Sequence, residues 1–304
     1  MGLRGWVASD SLAHVAENAE IRFRRLLRQA TTLVGLLAEC RSVGKPVEIS
    51  WDDFVSVAVE HLLTWADLET RAALSLLRDA AVAPAAEILL RGLLEALAHV
   101  SWIGSPPTPE ERRCRALCYE LGRAQSYGDG LRKMSPDAVS HLPADTKASL
   151  DDNIDTIRRL LREAGCKCSR RHEGNVESDL KGLAQALNAP YVYELWVTSS
   201  WVAHQFAFDR LARSNDVGVM TLAAPTAVDR AKLLTWVVAI FGYVGQAALL
   251  IENPGQVGRF NASVLRFLNS RALLAATTGA TQPTGMSQSP TSPPSSLPGG
   301  AAAE

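Results

Sequence analysis

The stretch Leu233–Ile251, LLTWVVAIFGYVGQAALLI, decides the architecture, because its 19 residues carry no formal charge. At 1.5 Å per residue such a helix is about 28 Å long, enough to span a bilayer core or to fill the centre of a bundle. Thr235, Ala239, Gly242 and Gln246 fall on one face, which suits close packing against other helices. Lys232 and Arg230 precede the stretch, so a single-pass anchor would leave the preceding domain in the cytoplasm. Thr226-Ala227-Val228-Asp229 has the capping-box pattern that starts this helix, and Pro254-Gly255 breaks it.

Working outward, the flanking segments supply what such a helix needs for cover. Leu12, Val15, Ala19, Phe23, Leu26, Ala30, Leu33 and Leu37 repeat at helical spacing after a candidate cap at Ser9-Asp10. Arg22, Arg24, Arg25 and Arg28 decorate this helix as a solvated face, and Gly44 and Pro46 end it. Ser50-Trp51-Asp52-Asp53 has capping-box spacing and opens a second helix. Its expected core side is Phe54, Val57, His61, Trp65, Leu68, Ala72 and Leu76. Pro84 fits the first turn of a third helix, strongly apolar, whose polar residues Glu87, Arg91, Glu95 and His99 recur every four positions. Those four read either as an exposed ion ladder or as a stripe facing another polar stripe inside the bundle. Thr108-Pro109-Glu110-Glu111 is a strong start for a fourth helix, expected to fade near Gly128–Gly130. A further amphipathic helix runs through Leu150, Ile154, Ile157, Leu160 and Leu161 to a C′ residue at Gly165, and a short one surrounds Asp179–Leu187. Past Arg213 the chain loosens, and Val257–Leu274 is a last amphipathic segment.

The fold class read from these patterns is all-α: a bundle of long antiparallel helices forming one domain over 1–274, its core at about 50–251. Residues 275–304 are rich in Pro, Ser, Thr and Gly and read as a disordered tail. With 31 basic against 32 acidic residues, the whole surface offers no electrostatic argument for nucleic acid or anionic membrane. Five cysteines, an odd number, argue against a disulfide framework and for a reducing compartment. The N-terminal stretch has no continuous apolar run of signal-peptide type, so a cytoplasmic location is the expectation, with a membrane anchor through Leu233–Ile251 as the alternative. Cys166-x-Cys168-x-x-x-His172 lacks a standard zinc spacing and a fourth ligand, so no metal is assigned. No P-loop, G-x-G-x-x-G, H-E-x-x-H or G-x-S-x-G motif occurs, and no cofactor is expected.

Candidate chemistry gathers in YVYELWVTSSWVAHQFAFDR, residues 191–210. On a helix, Glu194, Thr198, Gln205 and Asp209 form its water face, while Ser200 and His204 point away from it, one turn apart. Two inward hydrogen-bonding groups require partners, since each left alone costs roughly 1–3 kcal/mol. Arg91 and Glu95 are the expected partners, with His204 as acid or base, Arg91 on a phosphate, and Ser200 or Glu95 orienting the groups. The opposite reading is a buried polar network that fixes helix register without chemistry.

Arg91-x-x-x-Glu95 early and Ser200-x-x-x-His204 late resemble a large group of uncharacterised bacterial all-helical proteins, with Trp196 where their pattern has Tyr. That group is similar to the HEPN superfamily, whose members include metal-independent ribonucleases of toxin and defence systems and inactive relatives. The resemblance implies a nucleic-acid-directed stress or defence factor with RNA as partner. The superfamily's Arg-to-His nuclease spacing is missing here, since Arg91 and His99 are too far apart. The other classes kept open are a non-enzymatic interaction or scaffold protein, with a protein partner or a second copy of itself, and a membrane-anchored helical protein.

Overall fold

A computed structural model describes residues 4–43, 53–134, 145–166, 176–186, 190–203, 212–214, 220–222 and 225–279. The helices are α1 (Arg4–Ser42), α2 (Phe54–Leu76), α3 (Ala86–Gly104), α4 (Pro109–Lys133), α5 (Thr146–Glu163), α6 (Val176–Ala186), α7 (Tyr191–Ala203), α8 (Ala227–Glu252) and α9 (Val257–Gly279). The chain is an all-α bundle, with one short antiparallel ladder pairing β1 (Ala212–Ser214) with β2 (Met220–Leu222).

α8 is the centre. It packs against α1, α2, α3 and α9, and its buried side chains include Leu234, Val237, Val238, Phe241, Val244 and Leu249. It is long and apolar enough to cross a membrane, with mean hydropathy 1.9 over its most apolar window, yet 61% of that window is buried by its neighbours. Its start is the capping box expected from sequence, Thr226 and Asp229 bonding each other's backbone. Gly242 and Gly245 let α9 approach: a Cβ at Gly245 would lie 2.7 Å from the Phe260 ring, and one at Gly242 would lie 2.9 Å from Val264.

The charges at the ends of α8 set its register. Arg230 pairs with Glu20 of α1, donates to the Leu77 carbonyl (3.2 Å) at the end of α2, and lies 4.5 Å from the Phe23 ring centre. Glu252 accepts from Arg41 of α1 at 2.8 Å, and Arg41 also pairs with Glu60 of α2. α1 and α8 therefore run parallel, with α2 antiparallel to both.

Several boundaries differ from the sequence reading, each for a physical reason. α1 already contains Ser9 and Asp10, because nothing in the preceding residues breaks a helix. The cap of α2 is Asp53, whose carboxylate accepts from the Ser56 amide at 3.2 Å; Ser50 lies outside the described residues. α4 continues through Gly128 and Gly130 to Lys133, because Leu150 of α5 packs on Gly128. α9 runs on to Gly279, past the expected start of the tail at 275, and residues 280–304 lie outside the described residues. The buried side of α2 is Val57, Ala58, Val59, Leu62, Leu63, Ala66, Thr70, Ala73 and Leu74, with Phe54 and Leu76 packed against the core. Val57, Phe54 and Leu76 lie where expected, while Trp65, Leu68 and Ala72 face outward.

Cysteine pairing is a further correction. Cys114 of α4 is disulfide-bonded to Cys166, just beyond α5, across a sequence separation of 52, and Cys118 is disulfide-bonded as well. The odd count reflects Cys40, which is free and fully buried in the main core.

Glu252 is 1% exposed and depends on Arg41. Arg41→Met removes the two bonds that Arg41 donates to Glu252 and its pairing with Glu60, and should lower the unfolding free energy by about 1–3 kcal/mol, read by urea denaturation.

Candidate functional site

α3 is held between α2, α7 and α8, so its polar stripe has an element on each side. Arg91 donates from Nε to Glu95 Oε1 at 2.9 Å, and both side chains are 35% exposed. α7 crosses this pair antiparallel to α3, bringing Trp196 to Glu95 and Thr198 to the cleft beside Glu87. The indole Nε1 of Trp196 donates to Glu95 Oε1 at 3.4 Å, and the Arg91 guanidinium lies 5.9 Å from the indole ring centre. Both sequence readings of the stripe thus hold in part. One rung of the ladder, Arg91–Glu95, is present, and it also meets the indole of Trp196 on a second helix.

Ser200 does not join this cluster through its hydroxyl. Its Oγ donates to the Trp196 carbonyl of its own helix at 2.7 Å, the back-bonding that serine adopts inside helices. The fully buried hydroxyl of α7 is the neighbouring Ser199, likewise bonded to its own helix, to the Leu195 carbonyl at 2.7 Å. Both hydroxyls are satisfied without a partner from α3. His204 lies outside the described residues.

Sequence reasoning missed Glu69. Its carboxyl rests on the backbone of α3 at Gly92, where any Cβ would overlap it. Its Oε2 is buried without a hydrogen-bond partner among the described residues. Burial, and then the neighbouring Glu95 carboxylate, push the Glu69 carboxyl up to about 7, against a bond from Trp65 that lowers it. Two carboxylates from different helices, one near neutrality, are an arrangement that can hold and exchange a proton. The available signal was Gly92 itself, since a glycine in mid-helix costs about 1 kcal/mol unless something needs the space.

A second buried carboxylate lies further along the same bundle. Glu120 of α4 accepts from Arg123 at 2.8 Å and is 2.8 Å from His61 Nδ1. Burial alone would raise its carboxyl, yet His61 and Arg123 hold it below the usual carboxylate range. Tyr119 beside it packs on His99 with ring centres 5.1 Å apart, and burial followed by the Glu120 charge pushes its phenol to about 12. His61, expected on a core face as a satisfied core or boundary histidine, is half-buried and hydrogen-bonded to Glu120.

No group of three or more His, Cys, Asp or Glu positioned for a metal occurs among the described residues. Cys168 and His172 lie outside them, and Cys166 is engaged with Cys114. A cleft of about 330 Å³ opens between the starts of α3 and α8 and the face of α7, with Glu87, Thr198, Lys232 and Trp236 among its walls. It lies one turn of α3 away from Arg91.

The linkage sign for Glu69 is definite. Its folded-state value is raised, so the folded protein binds the proton that the unfolded chain releases near 4.5. Stability therefore falls as pH rises from about 4.5 to 7. Discounted for the half-exposed position, the loss is about 1–2 kcal/mol. Urea unfolding at pH 5 and pH 8 should show this decline in the wild type and a smaller one in Glu69→Gln.

Comparison of the chain with protein-family models, with curated proteins and with solved structures finds no match.

Proposed function

We propose that the chain is a non-enzymatic helical interaction protein, in which Arg91, Glu95, Trp196 and Glu69 fix the register of α2, α3 and α7. One observation carries the reading: the stripe Trp65, Leu68 and Ala72, which has the spacing of a core face, lies on the outside of α2. Trp65 and Leu68 are 57% and 58% exposed, and the Arg71–Asp67 ion pair borders them. Large apolar side chains side by side on a helix, with a charged border, match the make-up of a docking surface. The polar cluster behind it is occupied by its own members, as register contacts require. The partner is a protein helix or sheet face, and a second copy of this chain is the form to test first.

An RNA-directed role of the HEPN kind keeps one favourable observation, the Glu69 carboxyl near neutrality beside Glu95, which is itself paired with Arg91. In that reading His204 would act with this pair as acid or base. Under the interaction reading α8 is a bundle core and not an anchor, and the full chain belongs in the cytoplasmic fraction.

Sedimentation of the full chain should show self-association that Leu68→Glu removes, while thermal stability stays within about 0.5 kcal/mol, as for exposed substitutions generally. A chain that stays monomeric at every concentration tested refutes the homodimer. In parallel, purified wild type, Glu69→Gln and His204→Ala should all leave RNA intact. Cleavage by the wild type that either substitution abolishes would replace the interaction reading with the nuclease one.

A further inference from the structure

α5 is attached to the bundle differently from every other long helix. It packs on α4 and makes no other substantial helix–helix contact among the described residues. Its buried side chains are Ile157 and Leu161, which with Leu117 of α4 form a small core separate from the main one. Most of its other positions are exposed, including Asp151, Asp152, Asp155, Arg158, Arg159 and Arg162.

The end of α5 is built to present a sulfur to α4. Gly165 adopts φ +64°, its amide donates to the Arg162 carbonyl at 3.1 Å, and the Cys166 amide donates to the Leu161 carbonyl at 2.9 Å. This two-bond cap turns the chain over the helix end. It sets the Cα of Cys166 5.6 Å from that of Cys114, within the ordinary range for a disulfide. Cys118 lies one turn along α4 from Cys114 and packs on the same small core. Cys114, Cys118 and Cys166 are only half-buried, and Ala164 and Gly165 beside them are exposed, so a reductant can reach the sulfurs.

We propose that Cys114–Cys166 is a thiol–disulfide exchange site, a clasp closed by oxidation and opened by a dithiol reductant. In the opening step one thiolate of the reductant attacks the Cys166 sulfur. The S–S bond breaks, and Cys114 leaves as a thiolate that takes up a proton. The second thiol of the reductant then displaces Cys166 from the mixed disulfide and closes the reductant's own disulfide. Two electrons pass from the dithiol to the protein disulfide, giving two protein thiols. Cys118 is disulfide-bonded as well, so the same reductant opens both bonds by the same two-step exchange. With both open, α5 is freed and Leu117 and Leu121 on α4 are uncovered, while the main core around α8 stays intact. Cys40, inside that core, takes no part. The proposal does not depend on whether α2 docks a partner.

The test uses the full chain, oxidised and then treated with dithiothreitol as the dithiol. Peptide mapping without reductant should recover the 114–166 linkage, and thiol titration of the unfolded oxidised protein should find one free thiol per chain. On reduction, amide exchange in residues 146–163 should accelerate at least tenfold, while α3 and α8 change less than twofold. The double variant Cys114→Ser/Cys118→Ser should show the fast exchange with or without reductant, whereas Cys114→Ser alone should reach it only on reduction. Three results would overturn the proposal: no 114–166 linkage under oxidising conditions, unchanged α5 protection on reduction, or acceleration spread evenly over the chain. Stoichiometric zinc on the reduced protein would also overturn it, by making these thiolates metal ligands.

Discussion

The structure depends on the need to cover a helix that is apolar on every side. α8 can be stable only where each face meets another helix, and α1, α2, α3 and α9 do this. Hydrophobic burial alone would leave α8 free to slide along its own axis. Charge removes that freedom: Arg230 and Glu252 sit 22 residues apart on α8, and their partners Glu20 and Arg41 sit 21 apart on α1. At 1.5 Å per residue both spans are about 32 Å, so the two pairs close together only in one parallel register. The same two arginines hold α2, Arg41 through Glu60 and Arg230 through the carbonyls of Leu77 and Arg78. Each is thus a junction of three helices.

With α8 and α2 placed, the polar stripe of α3 has one position available to it. Its apolar majority faces α8 and α2, so Arg91 and Glu95 fall at the margin where α7 crosses. Glu69 of α2 reaches them only because Gly92 removes the side chain that would stand between. The cluster is a consequence of packing, and this explains its make-up: an intrahelical ion pair, one indole donor and one carboxyl without a cation of its own. Burial and the Glu95 carboxylate raise the proton affinity of Glu69 within this group.

What could be read in the sequence is what depends on local chemistry. The Thr108 and Thr226 caps, the Gly165 C′ turn and the stripe of α1 through Phe23, Leu26, Ala30 and Leu37 all follow from neighbours a few residues apart. The rest is set by distant parts of the chain. Trp65 and Leu68 have core spacing and face outward, while Ala66, Thr70 and Ala73, smaller and less hydrophobic, lie on the buried side of α2 with Leu62, Leu63 and Leu74. A hydrophobicity pattern cannot report that face. Ser200 is only half-buried and its hydroxyl is bonded to the Trp196 carbonyl of its own helix, while the buried hydroxyl is that of Ser199, a one-residue difference that periodicity does not resolve. Cys114 and Cys166 are unrelated in sequence until the fold of α5 against α4 brings them together.

Magnitudes separate the bundle core from α5. The main core buries dozens of side chains, and no single contact decides whether it forms. α5 contributes two fully buried aliphatic side chains, together about 3–6 kcal/mol before any ordering cost. An isolated helix of its 18 residues is marginal in water, so ordering it consumes much of that gain. Closing the 52-residue span with a cross-link removes about 4 kcal/mol of loop entropy from the open state. The covalent term is therefore as large as the whole packing term for this helix, and small beside that of the core. A redox change at the α4 sulfurs, Cys114 and Cys118, is thus energetically able to decide where α5 sits, while the register of α1, α2, α3 and α8 is left to the ion pairs and apolar contacts that do not include them.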